Sequence, residues 1–144
     1  MIERLPFSYK LDHIGIAVSS LAEGGKLYRA LGFKEVHIED VVSEGVRVGT
    51  YELANDSKIE LLEPLGEDSV VAQFLEKRGP GIHHIALRVE KLAEILKKLK
   101  AEGIRTVYDQ PRCGTHNCLI GFIHPSSAGG VLIELTEKQF EGET

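Results

Sequence analysis

The sequence predicts an α+β fold made of two copies of a βαβββ unit, and three observations carry that prediction. HIGIAV from His13 returns as HIALRV from His84, and sliding residues 13–36 onto 84–107 gives ten identities in 24 ungapped positions. KIELLEP and VLIELTE then bring the halves back into step after a slip of three residues, which sets Glu60 on Glu134. Between these anchors each half holds one helical stretch and further runs of alternating apolar residues. Self-similarity of this length outranks a local propensity, because each copy must satisfy the same packing.

At 144 residues the chain fits one domain, since halves of about 70 residues would each be marginal alone. The organisation expected is one domain over residues 10–137, with halves at about 11–65 and 82–137 joined by a linker helix at 69–78. Hydrophobic residues make up 42% and charged residues 27%, enough to bury a core and too many apolar groups for disorder. Seventeen basic against 22 acidic side chains give a net charge of −5, and no basic stripe appears. Nucleic acid and anionic membrane are therefore excluded as the main partner. MIERLPFSYKLDH contains no apolar signal-like core, and no run reaches the roughly 18 apolar residues of a membrane span. A cytoplasmic, soluble protein is expected, with Cys113 and Cys118 as two free thiols.

The first strand, LDHIGIAV, places Ile14, Ile16 and Val18 on one face and His13, Gly15 and Ala17 on the other. Small residues beside a His leave volume above the sheet where the imidazole points. Ser20, with Glu23 three residues on, has the form of a capping box for a helix that runs to Leu31 and stops at Gly32. Gly24 and Gly25 weaken it by about 1 kcal/mol each against Ala, so packing through Leu21, Tyr28 and Leu31 must hold it. FKEVHIED, GVRVGTYEL and KIELLEP read as the next strands, with AsnAspSer at 55–57 as a turn. The linker helix follows, stopped by GlyProGly at 79–81.

In HHIALRV, His83 and His84 point to opposite faces, and parity sets His84 with Ala86 on the open side. His83 falls on the packing side with Ile85 and Leu87, so its removal should spare any metal that His84 binds. The second helix repeats the first more strongly, with Leu92, Ile95, Leu96 and Leu99 on one stripe and Gly103 at its end. RTVYDQ, NCLIGFIHP and GVLIELTE supply the remaining strands, and about eight C-terminal residues read as untethered.

Each half thus opens on a His and closes on a Glu. Glu60 alternates with Ile59 and Leu61, and Glu134 with Ile133 and Leu135, so each carboxylate points away from those apolar neighbours. A carboxylate turned into a sheet cavity costs several kcal/mol to desolvate unless a partner offsets it, and a cation does so. A lone His at a strand start is ordinarily a hydrogen-bonded side chain. His and Glu at matched places in both halves favour His13, Glu60, His84 and Glu134 as ligands of one divalent ion. Two imidazoles and two carboxylates suit Zn²⁺, Mn²⁺, Co²⁺, Ni²⁺ or Fe²⁺ better than Ca²⁺, which takes oxygen shells. An octahedral ion would keep two positions for substrate. His37, His116 and His124 have no twin and are not assigned. No GxGxxG or P-loop suggests nucleotide chemistry.

The paired βαβββ units with these residues resemble the vicinal-oxygen-chelate (glyoxalase-like) superfamily. DHIGIAV, IELLEPLGEDSVVAQFLEKRGPGIHHIA and HPSSAGGVLIEL are similar to the methylmalonyl-CoA epimerase family, over roughly residues 10–137. The resemblance implies a curved mixed sheet around a divalent ion (Co²⁺, Mn²⁺, Zn²⁺, Ni²⁺ or Mg²⁺), held by His13, Glu60, His84 and Glu134. It implies an isomerase that interconverts (R)- and (S)-methylmalonyl-CoA by α-proton abstraction through a metal-stabilised enediolate, an acyl-CoA substrate and a homodimer. Glu134, a ligand with a second oxygen, is the expected base, and Glu44, in the SerGluGly turn, is assigned to the opposite face. Three departures stand out: position 60 can be Gln in the family, Val48 stands where some members carry Glu, and the family's HPK reads HisProSer at 124–126. Arg47, Lys77, Arg78 and Arg112 are the cations assigned to the CoA tail. The competing readings are a glyoxalase I-like lactoylglutathione lyase and a non-catalytic binding protein of the same fold.

Overall fold

The structure, a computed structural model, describes residues 9–139. The N-terminal stretch read as lacking a signal core falls mostly outside these residues, as does most of the C-terminal end read as untethered. The elements run β1 (Lys10–Ala17), α1 (Leu21–Gly24), α2 (Lys26–Ala30), β2 (Glu35–Val41), β3 (Val46–Glu52), β4 (Lys58–Pro64), α3 (Val70–Arg78), β5 (Gly81–Arg88), α4 (Leu92–Ala101), β6 (Arg112–Cys113), β7 (Cys118–Ile123) and β8 (Ile133–Lys138). No helix among the described residues is long and apolar enough to cross a membrane. Two compact units divide the chain, His13–Ile85 and Met1–Asp12 with Ala86–Thr144, so that β1 and β5 each pass from one unit to the other.

In the His13–Ile85 unit, β3 pairs antiparallel with both β2 and β4, and β4 pairs parallel with β1. Two apolar clusters cover the two faces of this sheet, as the period-2 pattern requires. Val18, Tyr51 and Leu61, with Ile16, Leu21, Tyr28 and Phe33, pack one face. Ala17, Val46, Val48 and Leu62 pack the other, under Val71, Phe74 and Leu75 of α3. That second face is the one His13, Gly15 and Glu60 share, so the ligand side is itself apolar beyond the ligands. The expectation of an open side opposite a packing side is corrected accordingly: α3 closes one end of it.

The first helix is two short ones. Ser20 caps α1 through its Oγ, which accepts from Glu23 N at 3.1 Å. The Glu23 side chain does not close a capping box among these contacts but pairs with Lys26 at 3.1 Å. Glu63 of β4 supplies a second cap, with its Oε1 accepting from Leu21 N at 2.8 Å. The axis breaks at Gly25, where a Cβ would lie 2.5 Å from Tyr51 Oη and 2.9 Å from Leu21 O. Close approach to Tyr51 leaves no room for a side chain at this position. Leu31 is 61% exposed and contributes little, whereas Leu21 and Tyr28 do pack.

In the other unit, β7 pairs antiparallel with β6 and β8. Leu92, Ile95 and Leu96 of α4 bury against Val89 and Leu135, which is the stripe the sequence predicts. Glu137 of β8 caps α4, accepting from Leu92 N at 3.1 Å and Lys91 N at 3.3 Å. RTVYDQ does not form a strand. It meets β7 through a Thr106–Ile123 bridge, a Val107 N to Phe122 O bond of 2.8 Å and a Tyr108–Phe122 ring contact at 6.2 Å, and the ladder pairing passes instead to Arg112–Cys113. Cys113 and Cys118 are free thiols, as expected. Asp12, buried in this unit, accepts from Arg88 Nη2 at 2.6 Å and Nε at 2.9 Å.

Candidate metal centre

In the His13–Ile85 unit, His13 has two of the other expected ligands, Glu60 and His84, beside it. Parallel pairing sets Gly15 beside Glu60, and antiparallel pairing sets Thr50 across from the same Glu60. His13 lies two residues before Gly15 and projects from the same face. His84 reaches that face from β5, and its ring lies over the bare Cα of Gly15: a Cβ there would stand 2.6 Å from both ring nitrogens. The volume left by a small residue is thus filled by the second imidazole.

His13 Nε2 lies 3.1 Å from His84 Nε2, and the rings meet edge to face at 86°. Glu60 Oε1 lies 3.5 Å from the same His13 Nε2. Relative exposures of 3% for His13, 5% for His84 and 3% for Glu60 put all three donors out of water. Ligands about 2.1 Å from one cation stand about 3.0 Å apart at right angles and about 3.4 Å apart at the tetrahedral angle. The two observed separations match that pair of values. Two imidazoles and a carboxylate are a donor set that fits a divalent transition-type ion, with His84 and Glu60 each within 3.5 Å of His13 Nε2.

Glu134 belongs to the other unit. It sits on β8 opposite Phe122, is 7% exposed, and alternates with Ile133 and Leu135 as expected. Glu44 ends a single 3-10 turn, Val42–Glu44, before a left-handed Gly45, and is half-buried. Val48 is 2% exposed within the apolar cluster under α3, which explains a side chain without charge there. His83 presents its ring to Phe74 of α3 at 5.2 Å, so it faces the helix that covers the ligand side rather than standing apart from it as parity predicts.

The cations assigned to CoA are in part engaged elsewhere. Arg47 Nε donates to Asp40 Oδ1 at 2.7 Å and Nη2 to Oδ2 at 3.3 Å. This hydrogen bonding holds the Asp40 carboxyl below its usual value and the Arg47 guanidinium above its own. Arg112 stacks 4.1 Å from the Tyr108 ring centre, and Arg78 stands 5.6 Å from that of Phe74. Lys77 lies beside Arg78 in the last turn of α3. Sequence reasoning missed Thr50 as the neighbour of Glu60, and it missed Glu63 and Glu137 as helix caps. The latter pair was visible, since both follow the repeated Glu by three residues.

Fold and donor set together define a class. Residues 12–122 match the Glyoxalase/Bleomycin resistance protein/Dioxygenase superfamily, and the chain is a member of it. The ethylmalonyl-CoA/methylmalonyl-CoA epimerase of Cereibacter sphaeroides is 40% identical over 131 residues, which cover 89% of this chain and 97% of that one. The crystal structure of methylmalonyl-CoA epimerase from Mycobacterium tuberculosis superposes with a TM-score of 0.86 at 44% identity, over 91% of this chain and 89% of that one. A Streptomyces coelicolor methylmalonyl-CoA epimerase in complex with 2-nitronate-propionyl-CoA gives a TM-score of 0.85 at 38% identity, over 90% and 94%. Within the superfamily, the chain belongs to the methylmalonyl-CoA epimerase family.

Proposed function

We propose that this chain is an isomerase that epimerises methylmalonyl-CoA at the carbon between its thioester and carboxylate. The observation that carries the reading is that buried His13 Nε2 stands 3.1 Å from His84 Nε2 and 3.5 Å from Glu60 Oε1, in a chain of this family. Those three residues hold a divalent ion in this reading. Glu134 is assigned as the fourth ligand because it stands at the repeat position of Glu60 and is buried on its own strand. The assignment treats residues 10–137 as one domain.

When bound, the ion supplies Lewis acidity, which lowers the cost of the negative charge left when the α-proton departs. The residues do the rest. His13 and His84 would each present a ring nitrogen to the ion, and Glu60 a carboxylate oxygen. Glu134 takes and returns the proton at one face of the carbon through its second carboxylate oxygen. Glu44 serves the other face, so that a proton lost on one side returns on the opposite side. The apolar Val48, Leu62 and Phe74 cluster on the ligand side keeps water from competing for the proton. Lys77 and Arg78, together at the end of α3, are the cation pair we assign to the CoA phosphates, ahead of Arg47 and Arg112. The two free thiols support a cytoplasmic location, and the homodimer rests on the family resemblance.

NMR of α-proton exchange in D₂O tests the reaction on two substrates. Exchange with methylmalonyl-CoA and none with the glutathione hemithioacetal of methylglyoxal is the expected result. The reverse selects a glyoxalase I-like lyase, and exchange with neither selects a non-catalytic binder.

A further inference from the structure

Parity sets His83 apart from the metal, but its ring touches the ligand beside it, and the expectation that its removal spares the metal is revised accordingly. His83 Nδ1 is 2.9 Å from His84 Nδ1, and the two rings meet at 88°. Two ring nitrogens at that separation share one proton, so one donates and the other accepts. A cation at His84 Nε2 needs the lone pair there, which places the His84 proton on Nδ1. His84 is then the donor and His83 the acceptor, with the His83 proton on its own Nε2.

We propose that His83 is a positioning residue that holds His84 in its Nδ1-protonated tautomer and so aims the Nε2 lone pair at the ion shared with His13 and Glu60. This rests on the reading of His84 as a ligand. Neighbouring strand residues point to opposite faces, and Nδ1 is the ring nitrogen nearest the backbone, so it is the atom through which the two rings can meet. The His83 ring is itself set by the edge-to-face contact with Phe74 at 5.2 Å and 73°. Phe74 lies under Arg78, so α3 supports the outer ring. On the inner side the bare Cα of Gly15 seats the His84 ring. His84 is thereby fixed from two directions, by a hydrogen bond at Nδ1 and by shape over Gly15. Hydrogen-bond partners of this kind fix the tautomer of a metal-binding imidazole and raise its basicity, and their loss lowers metal affinity about 10–100-fold.

The test combines zinc affinity, read by competition with a chromophoric chelator, and long-range ¹H–¹⁵N NMR of the imidazoles in metal-free and zinc-loaded protein. His83→Phe keeps a ring against Phe74 but removes the acceptor, and His83→Asn restores an acceptor oxygen near the Nδ1 position. We expect His84 to carry its proton on Nδ1 in the wild-type protein with and without zinc. His83→Phe should bind zinc about 10–100-fold more weakly and show mixed His84 tautomers, with His83→Asn recovering most of the loss. Wild-type zinc affinity in His83→Phe with an unchanged His84 tautomer overturns the proposal. A wild-type His84 protonated on Nε2 overturns it without any variant, which decides the matter if His83→Phe does not fold. Failure of the ligand reading is separate: it shows as undiminished zinc affinity in His84→Ala.

Discussion

Gly15 and His84 occupy one volume: the imidazole of the second half's first strand lies where the first half's strand omits a side chain. Both ring nitrogens would stand 2.6 Å from a Cβ at Gly15, well inside van der Waals contact. Gly15→Ala therefore forces the ring away from His13 or forces β1 to bend. Overpacking of this kind costs about 1–3 kcal/mol. Metal content by mass spectrometry should fall along with the melting temperature. Full metal loading with an unchanged melt would show that the ring has room to move.

Glu63 and Glu137 close the N-termini of α1 and α4, each from the strand that also carries the repeat's buried Glu. A carboxylate there satisfies orphan amides and meets the positive end of the helix. Glu137→Ala should lower stability by about 1 kcal/mol, read by urea unfolding, with Glu137→Gln in between. Glu63→Ala should cost less, because α1 is a single turn and Ser20 also caps it. An equal loss at both sites would mean that Glu63 holds more than the helix end.

The duplication made most of this architecture legible before any coordinates. A repeat constrains two halves at once, so a His and a Glu that mean little singly become a candidate ligand set when doubled, and Glu60 and His84 do stand within 3.5 Å of His13 Nε2. What escaped depends on contacts distant in sequence. Nothing local tells that Tyr51 closes over Gly25, where the first helix divides, or that RTVYDQ loses its pairing to Arg112–Cys113. Parity set His83 apart from the ligands, but parity describes faces and not the Nδ1 edge, where two adjacent rings meet. The apolar character of the ligand side was hidden for the same reason, since Leu62 and Val48 join it only through the register of β3 and β4.

Asp40 and Arg47 form a surface pair whose contribution depends on pH in a known direction. The Arg47 hydrogen bond lowers the folded-state pKa of Asp40 from 3.8. A depressed carboxylate adds stability above its unfolded value and loses it as pH falls through the folded one. Asp40→Asn should therefore melt slightly lower than the wild type at neutral pH, and the gap should close as pH falls below 3.8. Both groups are exposed, so added salt should shrink the difference as well. A gap that widens on acidification would reverse the assignment.

Glu134 and Glu44 are given different duties, and isotope exchange separates them. If Glu134 is both ligand and base, Glu134→Gln should retain some metal, because an amide oxygen coordinates, yet lose proton transfer by about 10²-fold or more. An amide cannot accept the proton. Glu44 is no ligand in this reading, so Glu44→Gln should leave metal content unchanged. It should slow epimerisation more than it slows exchange of the α-hydrogen at the face Glu134 serves, because abstraction there survives while delivery to the far side does not. Measuring deuterium uptake and stereochemical inversion in the same sample gives the ratio directly. Should Glu44→Gln invert at the wild-type rate, the second proton comes from another group or from water. The apolar Val48 on β3 then explains why no carboxylate at that position takes over the role.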